Sequence, residues 1–410
     1  MLKNKVLIVI AIIILILLGI LAYQVFTPPT ATPISTSPGN NFPVARPTSG
    51  GVADNVPVTT ATTSRPSDTE QELVAPEKRS LFKISKDPTS GYTVAGNSST
   101  TVVRFTDKMS GHSYETALDK VSLNKITITT VPKIYESIWS NNGGYVALRY
   151  LNGDTDLIRT FWGKVVNSGT TTINKNLSGS FLPNDITQFA TSPAGDKLFF
   201  LTNTTDGSLG FTAKNDLTAR TQVFNSPARE WLVSWPNDNT LIFNTKPSYA
   251  IPGYVFSLNL KTKAFSKLFG EIDGLTTLYN KDTTKLIYSE SIDNSLRTIA
   301  STKNGKIVLS LKTLPEKCVW SKINDDLVYC AVPQQLPAGD YPDFWYQGQL
   351  SFNDDIWSIN VSTGETKIIS SLFYIGQPNM DAINLQVDKD ENYLTFINKK
   401  DMQLWGLKLR

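Results

Sequence analysis

A short phrase keeps returning along this chain. A turn rich in Ser, Asn, Asp, Pro and Gly joins one strand-like run to a second, hydrophobic one, most clearly in Phe189-Ala190-Thr191-Ser192-Pro193-Ala194-Gly195-Asp196-Lys197-Leu198-Phe199-Phe200. Five weaker copies keep its internal spacing: Ser140 to Val146, Trp235 to Leu241, Asn280 to Leu286, Ser321 to Leu327 and Asp388 to Leu394 each span six residues, as Ser192 to Leu198 does. Successive anchors lie 52, 43, 45, 41 and 67 residues apart. Repeats of that period built from short strands describe a β-propeller, in which each blade is a small antiparallel sheet that buries its faces against its neighbours. A propeller hosts many unrelated activities, so the repeat constrains the shape and leaves the function open.

Strand order sets the blade count. One blade reads Ser137 to Ser140, Tyr145 to Leu151, Asp156 to Trp162 and Lys164 to Asn167, and later blades begin near Ile186, Trp231, Leu275, Cys318 and Ile383. Ahead of Tyr135, the runs Gly91 to Ala95, Thr101 to Phe105, Ser113 to Ala117 and Lys125 to Thr129 supply another full blade. The last blade ends after Met402 to Leu409 and lacks a fourth strand, whereas Leu81 to Ile84 has no partner in its own blade. Pairing the two closes a seven-bladed ring and removes exposed strand edges. The alternative is six blades with Leu81 to Thr129 as a separate cap. Either way the domain spans 79–410, larger than a typical single core but natural for a ring that grows by adding blades.

The turn Ser192 to Phe200, echoed by Trp139-Ser140-Asn141-Asn142-Gly143-Gly144-Tyr145-Val146-Ala147, resembles the WD40-like (PD40) repeat of TolB-type bacterial propellers. The resemblance covers the first hairpin of six blades, and only the Ser192 copy keeps both Pro and Gly. It implies a propeller with a binding role. Some relatives carry a serine peptidase domain, but this chain offers no segment for one.

The N-terminus sets the expected location. Lys3 and Lys5 precede Val6 to Phe26, which carries no charge. At about 1.5 Å per residue such a run reaches roughly 30 Å, the thickness of a bilayer's hydrocarbon core. No Lys or Arg follows until Arg46, so the positive-inside bias puts residues 1–5 in the cytoplasm and the remainder outside. The run is longer than the apolar region of a cleaved signal peptide and passes through Tyr23, Gln24, Val25 and Phe26, which favours a single-pass anchor of the plasma membrane with the lipid bilayer as its partner. From 27 to 78, Thr, Ser, Pro, Gly, Ala and Val dominate, a composition expected to stay extended as a tether. The whole chain carries a net charge of +3, with no concentrated basic surface. That argues against a nucleic-acid partner.

The chemistry-bearing residues are sparse. His112 is the only histidine, which rules out a multi-histidine metal site, and Gly111-His112-Ser113 reads as a turn entering an outer strand. No phosphate-binding glycine loop or alternating calcium loop is present, and no cofactor is expected. Asp and Glu gather at Asp325-Asp326, Asp354-Asp355 and Asp388, Asp390, Glu391, most simply as turn formers. Carboxylates assembled from several blades at the axis keep an envelope hydrolase or lyase as the alternative to a scaffold that binds an envelope protein, peptide or glycan.

The largest departure from the repeat lies between Cys330 and the strand beginning at Asp355. There Asp340, Tyr341, Asp343, Phe344, Trp345 and Tyr346 offer aromatic faces and acceptors for a partner. The competing reading, which the cost of exposing four large aromatics favours, is a plug folded back on the ring. Finally, Ser321 aligns with Leu327 across the blade-six hairpin, which sets Cys318 opposite Cys330 and within reach of a disulfide outside the membrane. Two buried free thiols are the alternative.

Overall fold

The computed structural model describes residues 81–410 except 98–99, 120–121, 128–129, 154–156, 168–174 and 373–378. The anchor read at 6–26 and the tether at 27–78 lie outside the described residues. Among the described residues no helix is long and apolar enough to cross a membrane.

Seven four-stranded antiparallel sheets follow one another along the chain. After β1 (Leu81–Lys83), blade 1 holds β2 (Thr89–Asn97), β3 (Thr100–Asp107), β4 (Ser113–Ala117) and β5 (Asn124–Lys125), and blade 2 holds β6 (Ile134–Trp139), β7 (Tyr145–Leu151), β8 (Ile158–Asn167) and β9 (Lys175–Phe181). Blade 3 is β10 (Ile186–Thr191), β11 (Lys197–Thr204), β12 (Gly207–Lys214) and β13 (Thr221–Ser226); blade 4 is β14 (Trp231–Asn237), β15 (Thr240–Thr245), β16 (Pro252–Asn259) and β17 (Phe265–Asp273). Blade 5 is β18 (Thr276–Tyr279), β19 (Leu286–Ile292), β20 (Ser295–Thr302) and β21 (Gly305–Val308); blade 6 is β22 (Cys318–Trp320), β23 (Leu327–Pro333), β24 (Asp354–Asn360) and β25 (Thr366–Ser370). Blade 7 supplies β26 (Ala382–Val387), β27 (Tyr393–Asn398) and β28 (Leu404–Lys408), and takes β1 as its outer strand.

That seam decides between seven and six blades. Leu81 pairs with Leu407 and Lys83 with Trp405, while Leu404 N donates to Ser85 Oγ at 2.8 Å. Apolar residues then fill all seven gaps between blades. Leu81 packs with blades 6 and 7, and on the other face of the same sheet Phe82 and Ile84 join Ile397 and Leu404 against Tyr92, Val94, Val103 and Phe105 of blade 1. Each large side chain buried this way contributes about 1.5–3 kcal/mol.

The recurring turn has a physical cause. Its first residue accepts a backbone N–H five residues on: Tyr145 N donates to Ser140 Oγ (2.9 Å), Lys197 N to Ser192 Oγ (3.0 Å), Lys285 N to Asn280 Oδ1 (3.0 Å) and Tyr393 N to Asp388 Oδ1 (2.7 Å). In these four copies a short side chain with an oxygen serves the turn, whereas the copy beginning at Trp235 turns instead between Asn237 and Thr240. The fourth residue takes a left-handed conformation, with φ of 71° at Gly143, 70° at Gly195, 56° at Thr283 and 55° at Glu391. Gly195 also admits the next turn, since a Cβ there would lie 2.7 Å from Asn142 Cγ, and Asn142 Nδ2 donates to its carbonyl at 3.0 Å.

Two strand assignments from the sequence need correction. Lys164 to Asn167 is not the outer strand of blade 2 but the second half of β8, pairing with β7 through Lys164 and with β9 through Ser178. The small, unbranched Gly163 reads as a break, yet the strand runs through it. In blade 1 the outer strand is confined to Asn124–Lys125, because Ile126 turns inward and is buried between blades 1 and 2.

Candidate functional site

The insertion between β23 and β24 folds back onto the ring. A 3₁₀ turn at Pro315–Lys317 enters β22 on this face, and the insertion's own short helix, α1 (Asp343–Tyr346), lies over it. Tyr341 and Trp345 are buried, with Phe352 beside them, in one apolar cluster with Leu296 of blade 5 and Leu314. Trp345 and Phe352 stack at 6.3 Å, and Tyr341 OH donates to Pro337 O at 2.6 Å. The segment reaches blade 5 through Gly339 N to Asn294 O (2.8 Å) and blade 4 through Tyr249 N to Asp343 Oδ2 (2.7 Å). Of the six residues singled out for recognition, Phe344, Asp340 and Asp343 are half-buried and Tyr346 is exposed. Tyr346 OH donates to Glu316, whose other oxygen accepts from Thr276 Oγ1 at 3.0 Å. The aromatics thus divide, two into the core and two toward the rim, and do not form one exposed patch.

Beneath the helix lies a charge cluster that no sequence motif marks. Lys317, Asp354 and Asp381 have fully buried side chains. Lys317 Nζ sits 2.8 Å from Asp354 Oδ2, pairs with Asp381 Oδ1, and donates to Ala382 O at 3.0 Å. Asp381 Oδ2 accepts from Trp345 Nε1, Phe352 N and Ser351 Oγ, each at 3.1 Å, so the insertion is pinned by the carboxylate below it. Burial pushes the Asp354 carboxyl up to about 6, more than Lys317 pulls it down. Burial also acts on Asp381, but there the Lys317 ammonium and the inward-pointing donors prevail and hold the carboxyl below the usual carboxylate range. Asp354, read from sequence as a turn former, opens a strand instead. Glu391 does lie in a turn, and its buried side chain is also a clasp, accepting from Lys322 N at 2.6 Å and Tyr329 OH at 3.0 Å.

Cys318 and Cys330 are directly opposed in β22 and β23 and form a disulfide, with Cα atoms 4.1 Å apart. It lies at the base of the insertion. His112 is half-buried beside Thr130 Oγ1, 3.2 Å from its Nε2. Among the described residues no three His, Cys, Asp or Glu side chains are grouped to hold a metal ion.

No family model matches the chain, and no curated protein matches it in sequence. Solved structures do. An oligogalacturonate lyase in complex with manganese is 10% identical, with a TM-score of 0.53 over 80% of this chain and 93% of that one. The β-propeller domain of the Trilobed protease from Pyrococcus furiosus is 11% identical, with a TM-score of 0.50 over 79% and 95%. TolB from Acinetobacter baumannii is 9% identical, with a TM-score of 0.41 over 77% and 65%. At these identities the likeness is one of fold, and it is the propeller fold to which the TolB-type turns also led.

Proposed function

We propose that the chain is a membrane-tethered extracytoplasmic scaffold whose propeller binds a protein, peptide or glycan of the cell envelope. The observation that supports it most is the fate of the acidic residues on the face carrying the insertion. Asp354 and Asp381, a buried carboxylate pair, lie under Trp345 and share the single ammonium of Lys317, the arrangement of a structural joint. The uncharged run of 6–26 and the Pro-rich stretch to 78 support the tether.

The lyase alternative draws on the oligogalacturonate lyase likeness. That neighbour holds manganese, whereas among the described residues no three His, Cys, Asp or Glu side chains are grouped to hold a metal ion.

Two measurements on the full chain test the scaffold reading. Protease added to intact cells should digest the propeller, and purified chain should leave polysaccharide substrates unshortened. A propeller protected in intact cells and cut only after lysis removes the extracytoplasmic assignment, and turnover of a polymer removes the scaffold.

A further inference from the structure

Between blades 2 and 3, on the face that also carries the insertion, the ring opens into a cleft of about 470 Å³, within the size range of small-ligand sites. One wall is blade 2. There Glu136 and Arg149 are directly opposed on β6 and β7 and form an ion pair, and Arg149 also donates to Ile186 O of blade 3. The Arg149 side chain is 7% exposed and that of Glu136 40%. Arg149 is fixed at both ends, and its Nε is buried without a partner of its own among the described residues, shielded from the cleft. The guanidinium lies 5.2 Å from the centre of the Tyr135 ring. Burial, opposed by Arg149 and reinforced by Glu136, pushes the Tyr135 phenol up to about 12, so it stays a neutral donor.

The other wall is the start of β10. Gln188 accepts from Val233 N at 3.4 Å through Oε1, which leaves its amide nitrogen to donate, and the exposed Asp185 adds a carboxylate at the rim. Ile138, Ile158 and Phe189 supply apolar surface between these groups.

We infer that this inter-blade cleft is a binding site for a neutral saccharide. The chemistry follows from pairing donors with acceptors. The Tyr135 hydroxyl and the Gln188 amide offer donors, while Glu136 and Asp185 offer acceptors. A cationic side chain meets only the carboxylates and leaves the Tyr135 and Gln188 donors without an acceptor from the ligand. Neighbouring hydroxyls on a sugar ring donate and accept at adjacent positions, and the ring's C–H face suits the apolar wall. With Glu136 balanced by Arg149, Asp185 leaves a surplus negative charge that disfavours acidic sugars.

The inference rests on reading the propeller as a binding scaffold, so its test must separate the two. Full chain in detergent is titrated by calorimetry with cellohexaose, xylohexaose, chitohexaose, hexagalacturonate and trialanine, and the recovered sugars are sized by mass spectrometry. Asp185→Asn is the main variant, because Asp185 has a φ of 55° that Asn tolerates, and Gln188→Ala is the second. The expected result is binding of at least one neutral hexasaccharide, weakened fivefold or more by either variant with thermal unfolding unchanged. Failure of all three neutral sugars to bind, indifference of binding to both variants, or displacement by hexagalacturonate or trialanine overturns the site. Shortening of a bound sugar overturns the scaffold reading instead.

Discussion

Two charge clusters occupy equivalent places, between adjacent blades on one face of the ring, and differ in what covers them. Glu136 and Arg149 lie between blades 2 and 3, where Glu136 keeps 40% of its side chain exposed. Lys317, Asp354 and Asp381 lie below residues 334–353 and keep none. The covered cluster has become a fixture of the fold, pinned to Trp345; the open one keeps a carboxylate, that of Glu136, which a ligand can meet. In this ring the insertion between the second and third strands of blade 6 is what turns a charge cluster into a structural one.

Both clusters presuppose a closed ring, so the largest effect is expected from opening it. Deleting residues 1–85 removes Leu81, Phe82 and Ile84 from two blade interfaces and exposes a strand edge, for a loss of about 5 kcal/mol. Unfolding followed by circular dichroism checks this. An unchanged midpoint means blade 7 holds with three strands.

The comparison itself is sharpened by removing each cation. Lys317→Met strands two buried carboxylates and should cost about 3–5 kcal/mol. Arg149→Met leaves a partner that water still reaches and should cost no more than about 1–2 kcal/mol. Equal losses in denaturant titrations break the contrast. Trp345→Ala should cost about 3 kcal/mol as a core truncation, while Tyr346→Ala stays within about 1 kcal/mol. The reverse order, with partner capture lost and stability kept, marks the aromatics as recognition anchors.

Reducing the Cys318–Cys330 bond should cost about 2–3 kcal/mol, since the loop that it closes is short. Intact-mass analysis after non-reducing alkylation checks the bond first, and labelling of both thiols in native protein rejects it. A smaller effect concerns pH. Because Asp354 titrates near 6 in the folded protein, above its unfolded value, its contribution is complete below about pH 4 and lost as pH rises through 6. Asp354→Asn should remove about 2 kcal/mol of that dependence between pH 4 and 7. Asp381, with its lowered value, contributes with the opposite sign, its share being lost as pH falls through its folded value. A wild-type slope that survives in Asp354→Asn assigns the titration elsewhere.

What could be read from sequence and what could not divide along the same physical line. Ser140, Ser192, Asn280 and Asp388 are legible because each bonds its own turn, within five residues. Cys318 and Cys330 are legible through the register of one hairpin, and β1 through its lack of a local partner. The covered and open clusters are not legible. Lys317 meets Asp381 across 64 positions, Arg149 meets Ile186 across 37, and neither pair shares a repeat position or a motif. The same holds for Asp354, whose burial depends on a lid made elsewhere in the blade. The end of the outer strand in blade 1 was misjudged because Ile126 alternates like a strand residue but serves the interface.

The seam between β1 and β28 also orders events in time. Leu81 leaves the ribosome among the first residues of the domain, whereas its partner Leu407 is made only after the seventh blade has begun. At about 5–20 residues per second the first strand waits roughly 15–60 s for its mate. During synthesis the early blades therefore stand as an open arc with an unpaired flank at each end, and only the making of β28 converts that arc into a ring. A chain stopped just short of Leu404 would carry almost every blade and still lack the contact that closes them.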